Sequence, residues 1–532
     1  MATITIDKKD LLNLVGRKLS DKELAHKLAM LGTSVERLGN EIELEIFPNR
    51  PDLLSVEGVA RALKNFIGVK KANSYKVNKS NYKVIVDKKV NNVRPYVAAA
   101  VVKNVVLNNE LVKSLMQLQE KLHITIGRNR KKASIGVYDL DKIKFPLTYT
   151  TKNPEFKFAP LDHKKEMSLK EILEKHQKGK DYGNLLSGFK EYPIWLDASN
   201  KVLSMPPIIN SEDTKVDYKT KNLFIDVTGL DLNAVENLLN IIVTALAERD
   251  CDIYTVNVGN KHYPNLHHKK FKLNLSYINK LLGLNVSLKE VKNYLMKMGY
   301  GFDKDILIPA YRVDILHEAD IAEDIAIAYG YENFEEKIPN VATIAEESKF
   351  EGLKRKIANL LIGLGIQEVN TFHLTSESEL RKMDHEMEFV ALKNALNEDY
   401  TVLRPWLMPS LMKVLGHNKH NEYPQKLFEC SIIFNKKLEE ITRLAIVVSH
   451  SQTNFTDIKQ ILDALLSSLG LNYKIEETKH GSFIDGRVGR VSVNGKDIAY
   501  IGEVNPAVLS NFSLEMPVSA LELNLSELFR LI

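Results

Sequence analysis

The chain carries the same helical pattern twice, in two stretches about half its length apart. The first contains Leu14-Val15-Gly16, Ser20-Asp21-Lys22-Glu23 and Gly32, and the second contains, at identical spacing, Leu281-Leu282-Gly283, Ser287-Leu288-Lys289-Glu290 and Gly299. A serine followed three residues later by a glutamate forms a capping box, and a glycine closes the C-terminal end of a helix. Each stretch is therefore predicted to fold as a helix, a glycine turn, a capped helix and a glycine stop, so the chain contains two helix-turn-helix-like modules.

The two copies differ in their acidic residues. Both continue to an Arg-x-Asp segment, at 50–52 and 312–314, and then into a further helix. That helix carries Asp320, Glu323 and Asp324 in the second copy, whereas the first copy has no acid at the three matching positions. The divergence predicts a chemical role that only the second copy has.

Asp314, Asp320, Glu323 and Asp324 are named the acidic cluster. The last three share one face of a helix because they are spaced i, i+3 and i+4, and Asp314 lies in the loop that leads to that helix. Ligation by oxygen alone suits Mg²⁺. Acids in a first helical turn also complement the helix dipole, so both interpretations are open. The absence of acids from the three matching helix positions of the first copy favours the metal site.

The duplicated helix pair also allows two interpretations. A helix-turn-helix can read nucleic acid with its second helix. The second helices of this chain, predicted at 21–31 and 288–298, carry mixed charges rather than a basic stripe. A packing module that presents one face to a partner subunit is the favoured interpretation.

Composition narrows the class of protein. A chain of 532 residues is too long for one core, which indicates three or four domains. Its 73 Lys and Arg nearly balance 68 Asp and Glu, so a net charge of +5 permits a nucleic-acid partner without supporting one strongly. Cys251 and Cys430 belong to no C-x-x-C pair, which argues against disulfides and thiolate zinc and suits the cytoplasm. No apolar run reaches the roughly 18 residues of a membrane span, and no signal pattern opens the chain.

Patterning predicts an α+β multidomain fold with a polar linker at about 70–81. The predicted domains are the first module at 1–70, a mixed α+β domain at 82–260, the second module at 262–338 and an antiparallel sheet domain at 345–532. In the last domain a helix at 352–364 precedes predicted strands at 367–374, 426–434, 445–449, 490–493 and 497–504. Asn494-Gly495 between the final two strands is a hairpin signal.

Two stretches of the central domain carry polar groups. The run Gly127-Arg128-Asn129-Arg130-Lys131-Lys132 is the densest basic run of the chain, and it is either a solvated loop or a contact for phosphate. Alternation along the strand predicted at 224–227 places Asp226 and Thr228 on the same face. They are either hydrogen-bonded structure or part of a pocket floor, and the residues alone leave that open.

Several segments resemble one family, in order and over nearly the whole chain. They are Gly127 to Gly136, Leu147-Thr148-Tyr149-Thr150, Leu203-Ser204-Met205-Pro206-Pro207-Ile208-Ile209-Asn210, Asp226-Val227-Thr228-Gly229, Pro309-Ala310-Tyr311-Arg312-Val313-Asp314 and Tyr329-Gly330-Tyr331. The chain thereby resembles the beta subunit of archaeal and eukaryotic phenylalanine–tRNA ligases. Tyr138 departs from the expected pattern, which has a histidine at that position.

The resemblance implies an editing activity for the central domain. It would hydrolyse tyrosine mistakenly attached to phenylalanine tRNA, with Ser204, Asn210, Asp226 and Thr228 holding the tyrosyl group and the attacking water. An apolar pocket rejects an added hydroxyl only about a hundredfold, so such an editing step is needed. The resemblance also implies that the acidic cluster binds magnesium together with an alpha subunit, in an assembly of two alpha and two beta subunits.

The C-terminal domain resembles a class II synthetase fold that has lost its catalytic residues. A catalytic member has a strand ending in Phe-Arg-x-Glu, whose arginine binds the ATP α-phosphate, whereas the strand from Phe428 here continues into Asn435-Lys436-Lys437. The expected Gly-x-Gly-x-x-Arg segment is also absent, because 520–525 contains no glycine. ATP-dependent adenylation is therefore assigned to the alpha subunit.

Two competing hypotheses belong to other classes. One is a free-standing protein that binds or chaperones tRNA, and the other is an independent deacylase that acts alone on mischarged tRNA. Copurification with a tightly bound, somewhat smaller partner discriminates the ligase subunit from both.

Overall fold

The structure is a computed structural model that describes residues 2–69 and 74–532. The chain forms two compact units, Met1–Ile338 and Pro339–Ile532, each with its own hydrophobic core. Within the described ranges, no helix is both long and apolar enough to cross a membrane.

The first module packs three helices against a small antiparallel sheet of order β1-β3-β2. Its elements are β1 Ala2–Asp7, α1 Lys8–Val15, α2 Asp21–Met30, β2 Ser34–Leu38, β3 Glu41–Ile46 and α3 Val56–Phe66. Asp7 and Ser20 cap the first two helices by accepting from the backbone N–H groups of Asp10 and Glu23. Gly16 ends α1 in the left-handed region at φ 73°, which favours glycine.

The central domain is a ten-stranded mixed sheet with long helices against it. Its elements are β4 Val77–Val86, β5 Tyr96–Lys103, α4 Asn109–Ile124, β6 Ala133–Asp139, β7 Leu147–Lys152, β8 Lys157–Phe158, β9 Met167–Ser168, α5 Leu169–Lys175, α6 Gln177–Tyr182, β10 Tyr192–Leu196, β11 Val202–Met205, β12 Ile209–Asn210, β13 Leu223–Gly229, α7 Leu232–Ala247, β14 Asp252–Val258 and β15 Lys261–Tyr263. The strand order is β12-β11-β10-β7-β4-β14-β5-β13-β6, with β15 on β14, whereas β8 and β9 pair separately. Strands β5, β6 and β13 are therefore neighbours, which brings distant parts of the chain to one side of the sheet.

The predicted linker at 70–81 needs correction. Residues 70–73 lie outside the described part of the chain, and residues 77–81 begin strand β4. The polar residues 78–81 alternate on a strand held between β14 and β7, so pairing with remote strands overrides their composition.

The second module has the same element order as the first. Its elements are β16 Lys269–Phe271, α8 Leu275–Leu282, α9 Leu288–Lys297, β17 Gly301–Phe302, β18 Ile306–Ile308 and α10 Glu318–Tyr329. The sheet order β16-β18-β17 repeats the first, third and second arrangement of β1-β3-β2. Gly283 ends α8 at φ 65°, and Ser287 and Glu290 form a reciprocal capping box at α9.

The second unit is a seven-stranded sheet covered by helices on both faces. Its elements are α11 Lys349–Gly363, β19 Gln367–Glu368, β20 Leu374–Thr375, α12 Glu377–Arg381, β21 Val390–Ala391, β22 Val402–Leu403, α13 Met408–Asn418, β23 Gln425–Phe434, β24 Glu440–Ser449, α14 Phe455–Ser468, β25 Lys474–Glu477, β26 Phe483–Val493, β27 Lys496–Val504, α15 Pro506–Asn511, β28 Val518–Asn524 and α16 Leu525–Leu531. The order β19-β23-β24-β28-β27-β26-β25 is antiparallel except at β19. Alternation on β24 sends Leu444 and Ile446 to one core and Ala445 and Val447 to the other.

Two expectations for this unit have different outcomes. Asn494 and Gly495 at φ 52° and 77° form the two-residue turn between β26 and β27, as predicted. The single strand predicted at 367–374 is wrong, because β19 and β20 are two short strands in different sheets. Thr371 between them donates its N–H to the Glu429 carboxylate, so this stretch leaves the ladder.

Candidate functional site

A cleft of about 500 Å³ opens in the central domain where β6, β11, β12 and β13 meet helix α4. Ser204, Asn210 and Asp226 line it, whereas Thr228 lies outside the lining. The structure therefore brings together three of the four side chains that sequence reasoning selected.

Asp226 lies at the floor of the cleft and is 1% exposed. It pairs across the sheet with Ala99 of β5 and Gly136 of β6, two small residues that leave room for its carboxyl group. Burial raises the pKa of Asp226 to about 7, although a hydrogen bond from Tyr138 and the charge of Arg94 lower it in part. Near neutral pH the carboxyl group is thus divided between its protonated and ionised forms.

Tyr138 joins two walls of the cleft. Its hydroxyl oxygen lies 2.6 Å from Asp226 Oδ1 and 2.7 Å from Ser204 Oγ. Burial and the neighbouring Asp226 hold the pKa of Tyr138 well above its usual value, so its side chain stays a neutral phenol. The residue at which the chain departs from the expected histidine is therefore bonded to two of the selected side chains.

Gly136 leaves the space that Tyr138 and Asp226 occupy. A Cβ at this position would lie 2.1 Å from the Tyr138 hydroxyl oxygen and 2.3 Å from Asp226 Oδ1. Any side chain at 136 would displace that pair from the floor of the cleft.

Thr228 shares the face of Asp226 but lies about 6.6 Å further along the strand. Its Oγ1 accepts a 3.0 Å hydrogen bond from Nε of buried Arg94, and its carbonyl oxygen accepts a 2.7 Å bond from Arg94 Nη2. Burial lowers the pKa of Arg94 to about 10. Thr228 therefore anchors an arginine below the floor.

The basic run at 127–132 forms a tight turn beside the cleft. Arg128, Asn129 and Arg130 all have positive φ, from 48° to 66°. Nη1 of Arg130 donates to the carbonyl oxygens of Pro207 and Ile208 at 3.1 and 2.9 Å, which joins the turn to the opposite wall. Arg130 is thus part of the cleft wall, whereas Arg128 remains exposed.

Sequence reasoning missed the polar side chains that α4 contributes to the cleft. Gln119, Glu120 and His123 line it. His123 Nε2 accepts from the Ile135 N–H at 2.8 Å, and burial lowers the pKa of this histidine, so the ring is neutral with its proton on Nδ1. These residues recur at i, i+1 and i+4 on one helix, a polar stripe that was visible in the sequence.

The acidic cluster lines a second cleft of about 550 Å³, which Arg50 of the first module also lines. Arg312 binds Asp314 with two parallel hydrogen bonds of 2.9 and 2.7 Å, and its Nη2 donates to Asp324 at 2.7 Å. The Tyr300 hydroxyl also donates to Asp324. Two of the four acids are therefore already neutralised within the chain.

The other two acids of the cluster have different environments. Asp320 Oδ2 accepts from the N–H groups of Leu316 and His317, both at 2.7 Å, and so caps α10. Glu323 is exposed at the rim, where partial burial and the neighbouring acids raise its pKa. Across the described ranges, no three His, Cys, Asp or Glu side chains converge as metal ligands. The residues of this chain alone do not fit a magnesium shell, because Arg312 occupies two of the carboxylates.

The first module repeats the arginine fork but has no acid at the positions that match Asp320, Glu323 and Asp324. Arg50 binds Asp52 through Nε and Nη2 at 2.9 and 3.0 Å, the same bonding pattern as Arg312 to Asp314. Burial alone would raise the pKa of Asp52, but Arg50 lowers it to about 2. In place of an acid, Arg61 lies 3.6 Å from the ring centre of Tyr311.

The second unit contains a closed polar network on β23. Fully buried Arg404 donates to Glu429 at 2.8 Å, to Ser431 Oγ at 2.7 Å and to the Ile432 carbonyl oxygen at 3.0 Å. Asn435, which follows β23, accepts from the backbone N–H groups of Lys437 and Glu439. Asn435 thus forms a turn rather than a phosphate contact.

Comparison with known proteins covers the whole chain. Family models match residues 75–256 as a B3/4 domain, 271–331 as a tRNA synthetase B5 domain and 334–525 as a phenylalanyl tRNA synthetase beta chain CLM domain. The phenylalanine–tRNA ligase beta subunit of Pyrococcus horikoshii is 42% identical over 555 residues, covering 100% of both chains. That of Archaeoglobus fulgidus is 41% identical, covering 99% of both. A crystal structure of an N-terminal fragment of the Pyrococcus horikoshii subunit covers 62% of this chain and 99% of the fragment, with 42% identity and a TM-score of 0.59.

Proposed function

The chain belongs to the family of phenylalanine–tRNA ligase beta subunits, and from that premise we propose that it edits phenylalanine tRNA while a partner alpha subunit makes the adenylate. The assembly would contain two alpha and two beta subunits and work in the cytoplasm. Support for the division of labour comes from Arg404, whose guanidinium is bonded to β23, and from Asn435, which is bonded within the backbone turn that follows β23.

The 500 Å³ cleft is proposed as the editing site for tyrosyl-tRNA. The observation that carries this proposal is the position of Asp226, whose carboxyl group is buried and lies at the floor of the cleft. The carboxylate has acceptor positions beyond the one that Tyr138 fills, and a buried acceptor costs about 1–3 kcal/mol when it is unpaired. The phenolic hydroxyl of tyrosine satisfies such an acceptor and phenylalanine does not, which is the discrimination that an editing site needs.

The cleft residues divide between the two ends of the substrate. Asp226 and Ser204 share Tyr138 as a partner, which supports placing both at the end that receives the phenol. Asn210 lies half-buried near the mouth, with Nδ2 donating to the Val137 carbonyl oxygen at 3.2 Å, which assigns it to the ester end. In the proposed reaction water adds to the ester carbonyl carbon, the bond from that carbon to the ribose oxygen breaks, and the ribose oxygen takes a proton. Thr228 acts through Arg94 and keeps the floor in place.

Deacylation of preformed tyrosyl-tRNA by the assembled enzyme tests this proposal. Asp226→Ala is expected to slow deacylation about 10- to 100-fold, because a hydrogen bond to a charged acceptor is lost, while phenylalanylation stays near wild type. Asp213→Ala, which removes an exposed carboxyl outside the cleft, is the matched control. Equal deacylation rates for Asp226→Ala and wild type would remove Asp226 from the site.

For the acidic cluster we infer a site that is shared with the alpha subunit. Glu323 and the second oxygen of Asp320 are the groups that the chain leaves for a partner, since Arg312 is bonded to Asp314 and Asp324. Magnesium would then need further ligands from alpha. Calorimetric titration with MgCl₂ is expected to show binding to the complex and none to the lone chain, and tight binding by the lone chain would contradict the shared site.

We also propose that residues 2–69 and 269–331 are copies of one module. Their element order, their sheet order, their helix caps and the two arginine forks support this interpretation. A free-standing tRNA-binding protein and an independent deacylase are the functions that coexpression with the alpha subunit would separate from a ligase subunit, because only a ligase subunit forms a stable complex and supports aminoacylation.

A further inference from the structure

A third cleft lies on the first module, far in sequence from the proposed editing cleft. A cleft of about 830 Å³ beside α1 is lined by four cations and one acid, namely Lys8, Lys9, Arg17, Lys18 and Asp7. We name it the N-terminal basic cleft. Lys8 is paired with Asp21 at 3.0 Å. Lys9, Arg17 and Lys18 are exposed, and no acid in the described part of the chain forms an ion pair with them.

The second module shows that the fold does not need these cations. The positions that match Lys8, Lys9, Arg17 and Lys18 hold the uncharged residues Leu275, Ser276, Leu284 and Asn285. The second module nevertheless forms both helices, with the same glycine stop and the same serine cap. The positive charge of the first module is therefore a property of its surface rather than of its folding.

The surroundings of the cleft fit a polyanion better than a protein. A protein interface of this kind needs an apolar centre. Leu12 and Leu19 are the apolar residues of the lining, and both are partly buried under the helices. The remaining lining residues include Asn13 and Asn40, whose amides are further donors for phosphate and sugar oxygens.

We propose that the N-terminal basic cleft binds the phosphate backbone of an RNA. This inference rests on the proposed function, which gives the chain a tRNA substrate. The contact is independent of sequence, because α2 carries mixed charges and the cations that line the cleft neutralise phosphates and release their counterions. The cleft therefore adds affinity for tRNA without selecting its bases.

The test measures binding of a fluorescently labelled transcript of phenylalanine tRNA to the full-length chain by anisotropy between 50 and 200 mM salt. The variant Lys9→Ala/Arg17→Ala/Lys18→Ala is expected to bind about five- to tenfold more weakly at 0.1 M salt. The slope of log affinity against log salt is expected to fall by about 2 to 3, since each lost phosphate contact removes about one. Lys9→Ser/Arg17→Leu/Lys18→Asn, which installs the residues of the second module, should behave in the same way and guards against misfolding.

The control variant is Lys437→Ala/Lys474→Ala/Lys479→Ala, which removes three exposed lysines of the second unit and the same net charge. Equal losses in the control and cleft variants would overturn the proposal in favour of bulk charge. Unchanged tRNA binding with a weaker alpha–beta complex would assign the cleft to a protein partner instead. Neither result depends on deacylation, so failure of the cleft and failure of the editing proposal are distinguishable.

Discussion

At the scale of single residues, the proton on Asp226 would decide which ring the proposed editing cleft accepts. Its folded-state pKa of about 7 lies above the ordinary value of 3.8, so the folded chain holds this proton more tightly than the unfolded chain. The contribution of Asp226 to the free energy of unfolding has its full value below pH 3.8 and is lost as pH rises towards 7. Between these values the carboxyl group ionises in the unfolded chain but stays protonated in the folded chain. The ionised form above pH 7 is the better acceptor for a phenol.

This balance gives a pH prediction. Deacylation of tyrosyl-tRNA is expected to rise with an apparent pKa near 7, while the thermal midpoint of the first unit falls between pH 5 and 7. Asp226→Asn should flatten the stability change, because the amide has no proton to lose. A thermal midpoint with the same pH dependence in Asp226→Asn as in wild type would show that another group titrates there.

Tyr138 gives a second prediction, because it acts through Asp226. Its hydrogen bond lowers the pKa of Asp226, so Tyr138→Phe is expected to move the deacylation profile to higher pH. Ser204→Ala, which removes the other partner of Tyr138 but no bond to Asp226, is the matched control and should leave the profile near its wild-type position. A uniform loss of rate in Tyr138→Phe with an unmoved profile would reduce Tyr138 to a packing role.

The sequence could name candidate residues of the cleft but not their partners. The resemblance selected four residues, and three of them, Ser204, Asn210 and Asp226, line one cleft. Alternation placed Thr228 on the face of Asp226 but could not show that it lies outside the cleft. Which side chain reaches Asp226 depends on the register between β6 and β13, and that register pairs residues about 90 positions apart. No local pattern encodes such a pairing.

At the scale of elements, the predictions that rested on local sequence signals were confirmed, whereas those that depended on contacts between remote residues were wrong. Helix caps and the Asn494-Gly495 turn involve neighbours in the chain, so their sequence patterns specify them. The single strand predicted at 367–374 was wrong because Thr371 donates hydrogen bonds to a carboxylate on β23 instead of continuing the strand. The prediction of a linker at 70–81 was wrong over residues 77–81 for the same reason, because β4 pairs with β7 and β14, which are far away in the chain.

Helix α10 carries a prediction about the acidic cluster. Asp324→Ala removes a buried partner of Arg312 and Tyr300, so it is expected to destabilise the second module locally by about 3 kcal/mol. Hydrogen exchange of Glu318–Tyr329 in the lone chain measures this effect, which should appear as faster exchange. Glu323→Ala removes an exposed acid of the same helix and should leave exchange unchanged. Equal protection in both variants would mean that Asp324 has no structural role.

At the scale of the whole molecule, we predict that the chain alone does not form phenylalanyl-adenylate. Buried Arg404 bonds directly to β23, and its guanidinium is committed to Glu429, Ser431 and Ile432. Phenylalanine-dependent pyrophosphate exchange should therefore be absent from the purified chain and present once the alpha subunit is added. Robust exchange by the lone chain would overturn the assignment of adenylation to alpha.

The absence of a side chain at Gly136 bears on how accurately phenylalanine codons are translated. A single methyl group at this position would displace Tyr138 and Asp226 from the floor of the proposed editing cleft, and neither residue belongs to β23 or the second unit. If the cleft edits as proposed, a cell with such an allele would keep charging phenylalanine at its normal rate while it incorporated tyrosine at phenylalanine codons. The substitution Gly136→Ala would thus lower the accuracy of translation without lowering its rate.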